Sequence, residues 1–382
     1  MKKIAVVTAT RAEYGLLSPV IRELRKHESN ELNIDLIVTG THLSDKYGMT
    51  IEEIKERVDK KVPISVKSDS ELDISVNQAE ALVKFTELFI REHYNAVLLL
   101  GDRYETLAIA IAAGNTRTPI FHLCGGDTTE GALDEWIRHS ITKISYLHFV
   151  TNDDSRRRVI QLGEDPARVF NYGSTSIDNI LTVADMNKKE ALQSVGLSDC
   201  RYAVCTYHPV TMEGGSVDEQ IEEFLKAIKI FPYLQFIVTK SNADQGGARI
   251  NEMLDKAEPL IDNLHVFTSL GVRRYLSLMK YSEFVLGNSS SGIVETPAFH
   301  VPTVNIGDRQ RGRLQARSII NCGSSVEEIV KAIRKAMTNE HKEICKYIVS
   351  AYGDGHAAEQ IAAKSIDVVD GRIDLKKKFY DL

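Results

Sequence analysis

The chain reads as an α/β protein of two doubly wound domains facing a cleft, and three observations carry that reading. Short apolar runs without polar alternation recur along it, among them IAVV from Ile4, AVLLL from Ala96 and FVLG from Phe284. Strands of a parallel sheet covered on both faces have this character. Between them lie amphipathic stretches of helical spacing, so strand and helix alternate. The alternation runs through two series, and 382 residues exceed what one ordinary core accommodates.

In order, KKIAVVTAT from Lys2 is a strand, PVIRELRKH from Pro19 a helix and NIDLIVTG from Asn33 a strand. IEEIKERV from Ile51 has helical spacing, VPISV from Val62 reads as a strand, and VNQAEALVKFTELFIREH from Val76 as a long helix. AVLLLGD is the most apolar strand of this half, and TLAIAIAAGN after it is a helix of small residues suited to close packing. PIFHLCGG, LDEWIRHSITKIS, YLHFV, DSRRRVIQLG and RVFNYGS continue the alternation to Ser174. A quieter stretch holds the hinge, between Gly173 and about Asp199. The second series runs from RYAVCTYHP at Arg201 to VEEIVKAIRKAM, and GHAAEQIAAKSIDVV in the tail is helical in period. Residues 1–180 are thus one Rossmann-like domain and 181–364 a second, which predicts a ligand between the carboxyl ends of both sheets.

Composition bounds the function. Hydrophobic content of 43% and charged content of 26% describe an ordinary globular protein, and a net charge of −6 gives no support for a nucleic-acid binder as a whole. Any phosphate site is therefore a local basic pocket. The five cysteines are scattered and form no C-x-x-C pair, which argues against a disulfide framework or zinc site and for a reducing compartment. The apolar run after Met1-Lys2-Lys3 is too short for a signal peptide, and none is long enough for a membrane span. The expected location is cytoplasmic.

Phe284–Arg313 is the stretch around which the chemistry gathers. A buried strand leads into the turn Asn288-Ser289-Ser290-Ser291-Gly292, a short helix carrying Glu295, the strand PTVNIG and a loop with Arg309, Arg311 and Arg313. Serine hydroxyls and amides at a helix start suit a phosphate, Glu295 a ribose hydroxyl, and the arginines phosphate charge. Serines that merely cap a helix, beside a solvated arginine face, are the alternative. Other strand exits of this half carry His208 before Pro209 and Ser241-Asn242-Ala243-Asp244.

The first half differs. Its opening strand runs into Arg11 with no G-x-G-x-x-G, so no dinucleotide cofactor is indicated. The exit after AVLLLG delivers Asp102 and Arg103, and the next delivers His122, Cys124 and Asp127, followed by Glu130, Asp134, Glu135, Arg138 and His139. Carboxylates gathered at one sheet edge shift one another's pKa values, as acid–base chemistry needs. Helix capping is the competing reading of Asp102, and surface exposure that of Glu130 and Glu135. His122 reads as a core residue, Cys124 has no identifiable base, and the acids match no metal motif. The first half thus supplies acid–base groups and the second the nucleotide site.

With these residues in view, the chain resembles the hydrolysing UDP-N-acetylglucosamine 2-epimerases, the bacterial sialic-acid-pathway members most. The marks are T-x-T-R-A-E-Y-G at Thr8–Gly15, V-T-G-x-H at Val38–His42, L-G-D-R-Y-E at Leu100–Glu105, H-x-x-G-G-D at His122–Asp127 and D-E-x-I-R-H-S-I-T-K at Asp134–Lys143. S-N-A-D at Ser241–Asp244, G-N-S-S-S-G-x-x-E and N-I-G-D-R-Q-x-G-R complete the set. The resemblance implies a GT-B-like fold with UDP held mainly by the second domain and residues 365–382 packing back on the first. It implies Arg11, His42, Arg103, Asn242, Ser289, Ser290, Glu295 and Arg309 as substrate contacts, and Asp102, Asp127, Asp134 and His208 as catalytic groups. The implied reaction removes the sugar C2 proton as UDP leaves C1, then hydrates the 2-acetamidoglucal to free N-acetylmannosamine. It implies no cofactor and no metal, a UDP-sugar and UDP as the small-molecule partners, and a homodimer or homotetramer. Relatives in legionaminic acid synthesis share most of these motifs and act on a UDP-linked 2,4-diacetamido-2,4,6-trideoxy sugar. Two positions depart from the pattern: Cys124 and Asp127 stand where family members carry glutamate.

Overall fold

The computed structural model describes residues 1–67, 70–129, 134–209, 217–241 and 247–382. The chain divides into two compact units: Met1–Thr128, most of the following stretch to Asp178, and Tyr352–Leu382 form the first, and Asn179–Ala351 the bulk of the second.

In the first unit seven parallel strands take the order β3-β2-β1-β4-β5-β6-β7. They are β1 (Lys2–Thr8), β2 (Leu32–Thr39), β3 (Lys60–Val62), β4 (Ala96–Leu100), β5 (Ile120–Leu123), β6 (Leu147–Val150) and β7 (Val169–Asn171). The connecting helices include α1 (Arg11–Arg25), α2 (Glu71–Glu92), α3 (Tyr104–Asn115), α4 (Asp134–Ile144) and α5 (Asp153–Gln161). Alternate residues of each strand face opposite layers, so both faces must be apolar. Ile4, Val6, Leu36 and Leu98 pack with α1 and the helix Ala357–Asp370, while Ala5, Val7, Ile37, Val97 and Leu99 pack with α2 and α3. The strand order reverses between β1 and β4, where doubly wound sheets present their ligand sites.

The structure differs from the sequence expectation in three places here, the first being VPISV, of which only Val62 lies in a strand, at the end of β3. IEEIKERV forms no α-helix: Thr50–Glu53 makes one 3-10 turn and the chain then runs extended along α1. Side chains claim its backbone, since the Lys55 amide donates to the Tyr14 hydroxyl and the Arg57 carbonyl accepts from Arg25. The returning segment begins at Tyr352, before the 365 read from sequence. The buried face of the helix Ala357–Asp370, with Ala357, Ala358, Ile361 and Ala362, completes the first unit's core and carries that whole helix with it.

The points where the chain leaves and re-enters this unit lie side by side. The Ser174 amide donates to the Tyr352 carbonyl at 2.7 Å. A Cβ on Gly173 would sit 2.6 Å from that same oxygen, so only glycine fits. Asp178 accepts from the Ala358 amide at 2.9 Å and caps the returning helix.

The second unit holds β8 (Tyr202–Thr206), β9 (Gln235–Thr239), β10 (Leu264–Phe267), β11 (Val285–Gly287), β12 (Thr303–Ile306) and β13 (Ile319–Cys322). These six are also parallel, in the order β10-β9-β8-β11-β12-β13, with the reversal between β8 and β11. Tyr207, Phe224, Phe236 and Phe284 fill its core. Among the described residues no helix is long and apolar enough to cross a membrane.

Gly287 closes β11 at φ +134, and a Cβ there would lie 2.0 Å from the Thr206 carbonyl oxygen. Gly287→Ala is expected to cost about 3 kcal/mol or more, from a disfavoured backbone together with a steric clash. Gly196→Ala, at φ +77 with nothing within 4 Å, should cost only about 1–2 kcal/mol. Urea unfolding of the two variants checks this, and equal losses would refute the close-approach argument.

Candidate active site

The first unit's groups sit at the exits of adjacent strands. β4 ends in Gly101, and the Asp102 carboxylate that follows meets the guanidinium of Arg138 on α4. Arg138 is 2% exposed, and it also donates to Glu135 at 3.1 Å and to the Asp127 carbonyl at 2.7 Å. Burial works against its charge, but Asp102, Asp127 and Glu135 outweigh that and raise its pKa. One buried cation thus ties the β4 exit, the β5 exit loop and α4 together. His139 lies 3.3 Å from the other Glu135 oxygen, and Asp134 is exposed at the start of α4.

Asp127 does not point its full carboxylate outward. One oxygen accepts from Thr151 at 2.8 Å and from Ser155 at 2.6 Å. Cys124, three residues earlier, adopts a left-handed φ of +64, uncommon for a residue with a Cβ, and its amide donates to the Phe149 carbonyl. His122 is fully buried; a carbonyl can only accept, so its Nε2 carries the proton donated to Gly101 at 2.8 Å, and Nδ1 accepts from Thr142. Burial draws its pKa down to about 3. The ring fixes the peptide just before Asp102.

Across the β1/β4 reversal, Thr10 and Glu13 form a reciprocal cap at the start of α1, and Glu13 accepts from the Ala9 and Thr10 amides. Glu13 is buried, which pushes its carboxyl up to about 7 although Arg103 opposes the shift. Arg103 is held at 3.2 Å by the fully buried Glu105. Arg11, on the same turn as Glu13, reaches within 3.8 Å of Glu53. His42 differs from the expected substrate contact: it is fully buried, with Nε2 on Thr8 at 3.1 Å and Nδ1 on Thr50 at 2.9 Å. Both ring nitrogens are occupied, so His42 supports the β1 exit from behind.

In the second unit His208 and Asn288 lock the β8 and β11 exits to each other. The His208 amide donates to the Asn288 side chain at 2.7 Å, and that side chain donates back to the His208 carbonyl at 2.8 Å. The His208 ring contacts Ser241 at 3.1 Å. Burial, followed by the charge of Arg309, draws it down to about 3, so it stays neutral and acts by hydrogen bonding. Arg309 and Gln310 donate to the Asn288 carbonyl at 3.1 and 2.8 Å. Ser290 occupies the cap position of the helix Ser291–Val294 but makes no side-chain cap bond, while the Ser289 hydroxyl accepts from the Ser291 amide at 3.4 Å. Glu295 ends that helix, and its charge acts on the buried Tyr275 hydroxyl, which contacts Thr206.

Arg311 and Arg313 do not join Arg309. They line an open polar cavity of about 710 Å³ with Asn305, Asn321 and Glu328, past the exits of β12 and β13. Asn242, Asp244 and Glu130 lie outside the described residues. Arg138, Glu13 and Asn288 carry the geometry although sequence reasoning gave none of them a role; the alternation of Arg138 with the Asp134 and Glu135 carboxylates was the available signal. Among the described residues no three His, Cys, Asp or Glu side chains are arranged to hold a metal ion.

Comparison with known proteins shows the family and the fold. The profile of the UDP-N-acetylglucosamine 2-epimerase family matches residues 22–365. The chain is 38% identical over 346 residues to the GDP/UDP-N,N'-diacetylbacillosamine 2-epimerase (hydrolyzing) of Campylobacter jejuni, covering 90% of this chain and 89% of that one. It is 37% identical over 390 residues to the polysialic acid biosynthesis protein P7 of Escherichia coli, covering 100% and 98%. A crystal structure of UDP-GlcNAc 2-epimerase from Neisseria meningitidis bound to UDP-GlcNAc superposes with a TM-score of 0.83 at 20% identity, over 96% of this chain and 100% of that one, a likeness of fold.

The raised carboxyl of Glu13 has a pH signature. Below pH 4.5 the group is protonated in both folded and unfolded chains and stability is at its full value. Between 4.5 and about 7 the unfolded chain ionises while the folded one keeps its proton, so stability falls by roughly 3 kcal/mol across that window. Glu13→Gln keeps an oxygen for the two amides and should lack this fall. Urea unfolding at pH 4.5 and 7.5 compares them, and identical pH slopes would show that Glu13 ionises normally.

Proposed function

From a chain that belongs to the UDP-N-acetylglucosamine 2-epimerase family, we propose a hydrolysing enzyme that converts UDP-N-acetylglucosamine and water to N-acetylmannosamine and UDP, in the cytoplasm and without a cofactor. The observation that carries this reading is the Asp102–Arg138 pair. A carboxylate held by a buried guanidinium at a strand exit is fixed in direction, as a base placed against a C–H must be.

In the proposed reaction a carboxylate of the first unit takes the C2 proton, the C1–O bond breaks, and its electron pair leaves with UDP, so that C1 and C2 become doubly bonded. Water then adds its oxygen to C1 and gives up a proton, while C2 receives a proton on the opposite face. Asp102 is assigned to the acid–base work, with Asp134 and Asp127 as the other carboxylates of that edge. The Asp127 hydroxyl contacts favour a role in orienting the loop. In the second unit Arg309 offsets diphosphate charge, Ser289 and Ser290 donate to it, the neutral His208 hydrogen-bonds it, and Glu295 accepts from ribose. Arg11, Arg103 and Asn242 join them as substrate contacts. The name of the C. jejuni relative favours a second sugar, UDP-linked 2,4-diacetamido-2,4,6-trideoxy-glucose; that of P7 favours the sialic acid route.

We also infer self-association into a dimer or tetramer, supported by α2. Val76, Val83 and Ile90 are exposed at seven-residue spacing, with Leu72 alongside and 73% exposed. An antiparallel pairing of two copies about residue 81 sets Leu72 against Ile90, Ala79 against Val83 and the acidic Glu71 against Arg91. Light scattering should report an oligomer, and Val83→Glu with Ile90→Glu should convert it to monomer with its fold intact. A monomeric wild type would end this inference.

Incubated with each UDP-sugar and no acceptor, the protein should release equal amounts of UDP and free 2-epimerised sugar. Run in D2O, the sugar should carry deuterium at C2; run in 18O-water, UDP should stay unlabelled because the C1–O bond breaks. Epimerised UDP-sugar with no free UDP would mark a non-hydrolysing epimerase, and dependence on an added acceptor a transferase. Asp102→Asn should retain UDP binding and lose at least about a hundredfold in turnover. Near-full activity in that variant would reduce Asp102 to a structural anchor.

A further inference from the structure

The chain ends in a segment without helix or strand that is nonetheless held at specific points. After the helix Ala357–Asp370, residues 371–382 run along the first unit. Lys377 donates to the Lys143 carbonyl at 2.9 Å, the Ser145 carbonyl at 2.6 Å and the Glu164 carboxylate at 2.5 Å. Two residues on, the Phe379 ring lies over Gly163, where a Cβ would come within 2.4 Å of it, and the Tyr380 amide donates to the Gly163 carbonyl at 3.0 Å. The Lys143 ammonium stands 4.7 Å from the Phe379 ring centre.

The place that Lys377 reaches is the carboxyl end of α4. The last carbonyls of a helix have no intrahelical donor, and the helix dipole makes that end partially negative, so an ammonium satisfies both. Glu164, 1% exposed, supplies the counter-charge. It also takes Lys143, from the last turn of α4, at 2.9 Å and the buried His148 of β6 at 3.0 Å. Burial alone would raise Glu164, but these three donors outweigh it and hold it at about 2. The cluster continues inward: His148 is the register partner of His122, whose ring holds the Gly101 carbonyl next to Asp102.

The other end of α4 carries Asp134, Glu135, Arg138 and His139. Arg138 stands five residues before Lys143, about 7.5 Å along a rigid helix. An axial shift at the latched end therefore reaches Arg138 undiminished, and with it the Asp102 carboxylate. Displacements near 1 Å cost up to about a hundredfold in rate. We propose that Lys377 is a positioning residue for the reaction: from the chain's closing segment it latches the carboxyl end of α4, and so sets where Arg138 holds Asp102. This rests on the reading of the Asp102 edge as the acid–base centre.

Lys377→Met keeps the apolar stem and removes the charge, and Lys377→Arg restores a cation. Lys377→Met should bind UDP within twofold of wild type and keep its KM within about threefold, with kcat reduced at least tenfold well below its Tm; Lys377→Arg should recover most of that loss. Amide hydrogen exchange should accelerate in Asp134–Ile144 of Lys377→Met and stay unchanged in the second unit. Wild-type kcat in Lys377→Met overturns the proposal, as do wild-type exchange in α4 or a kcat loss that a lower Tm fully accounts for. If the wild type releases no UDP from either sugar, the reading of the reaction fails instead; the exchange measurement then decides the latch alone.

Discussion

A guanidinium that is 2% exposed must be surrounded by acceptors, and that requirement organises the first unit's functional edge. Arg138 cannot lose its proton, so its burial obliges Asp102, Glu135 and the Asp127 carbonyl to converge on it. Three chain segments far apart in sequence are brought to one point by one desolvated charge. The same constraint fixes the direction of the Asp102 carboxylate. Truncating Arg138 would remove the donor that Asp102, Glu135 and the Asp127 carbonyl share.

The second unit solves an equivalent problem without a buried ion pair. Asn288 gives and takes one hydrogen bond with the His208 backbone, and Gly287 lets β11 approach Thr206 closely enough for it. The two exits on either side of the sheet's reversal become one rigid frame, from which Ser289, Ser290 and Arg309 project. The polar groups that face each other here are neutral, and Arg309 donates to the Asn288 carbonyl beside them. The strand exits of the two units thus differ in electrostatics: carboxylates around a buried cation in one, a neutral frame beside a half-buried cation in the other.

Much of this was legible in the chain. Doubly wound sheets follow from apolar runs and helical spacing, and residues at strand exits follow from the fold. What escaped has physical reasons. β13 alternates buried and exposed positions as an edge strand, and SIINC lacks the continuous apolar run that marks an inner one. IEEIKERV has helical spacing, but spacing cannot report that Tyr14 and Arg25 outbid the helix for its backbone. His42 lies in a motif that suggests ligand contact, and only three dimensions show its ring turned inward between Thr8 and Thr50. Arg138 and Glu13 look like surface charges on amphipathic helices; that they are buried depends on which face the sheet covers.

The adjacency of Ser174 and Tyr352 has an architectural meaning. Because the chain departs from the first unit and returns to it at neighbouring points, the second unit is topologically an insertion, a cassette spliced into a continuous parent sheet. The parent's last elements, the helix Ala357–Asp370 and the segment bearing Lys377, cannot be laid down during synthesis until the cassette has been made. Its core stays open over α1 through that interval. The order of manufacture thus departs from the order of assembly.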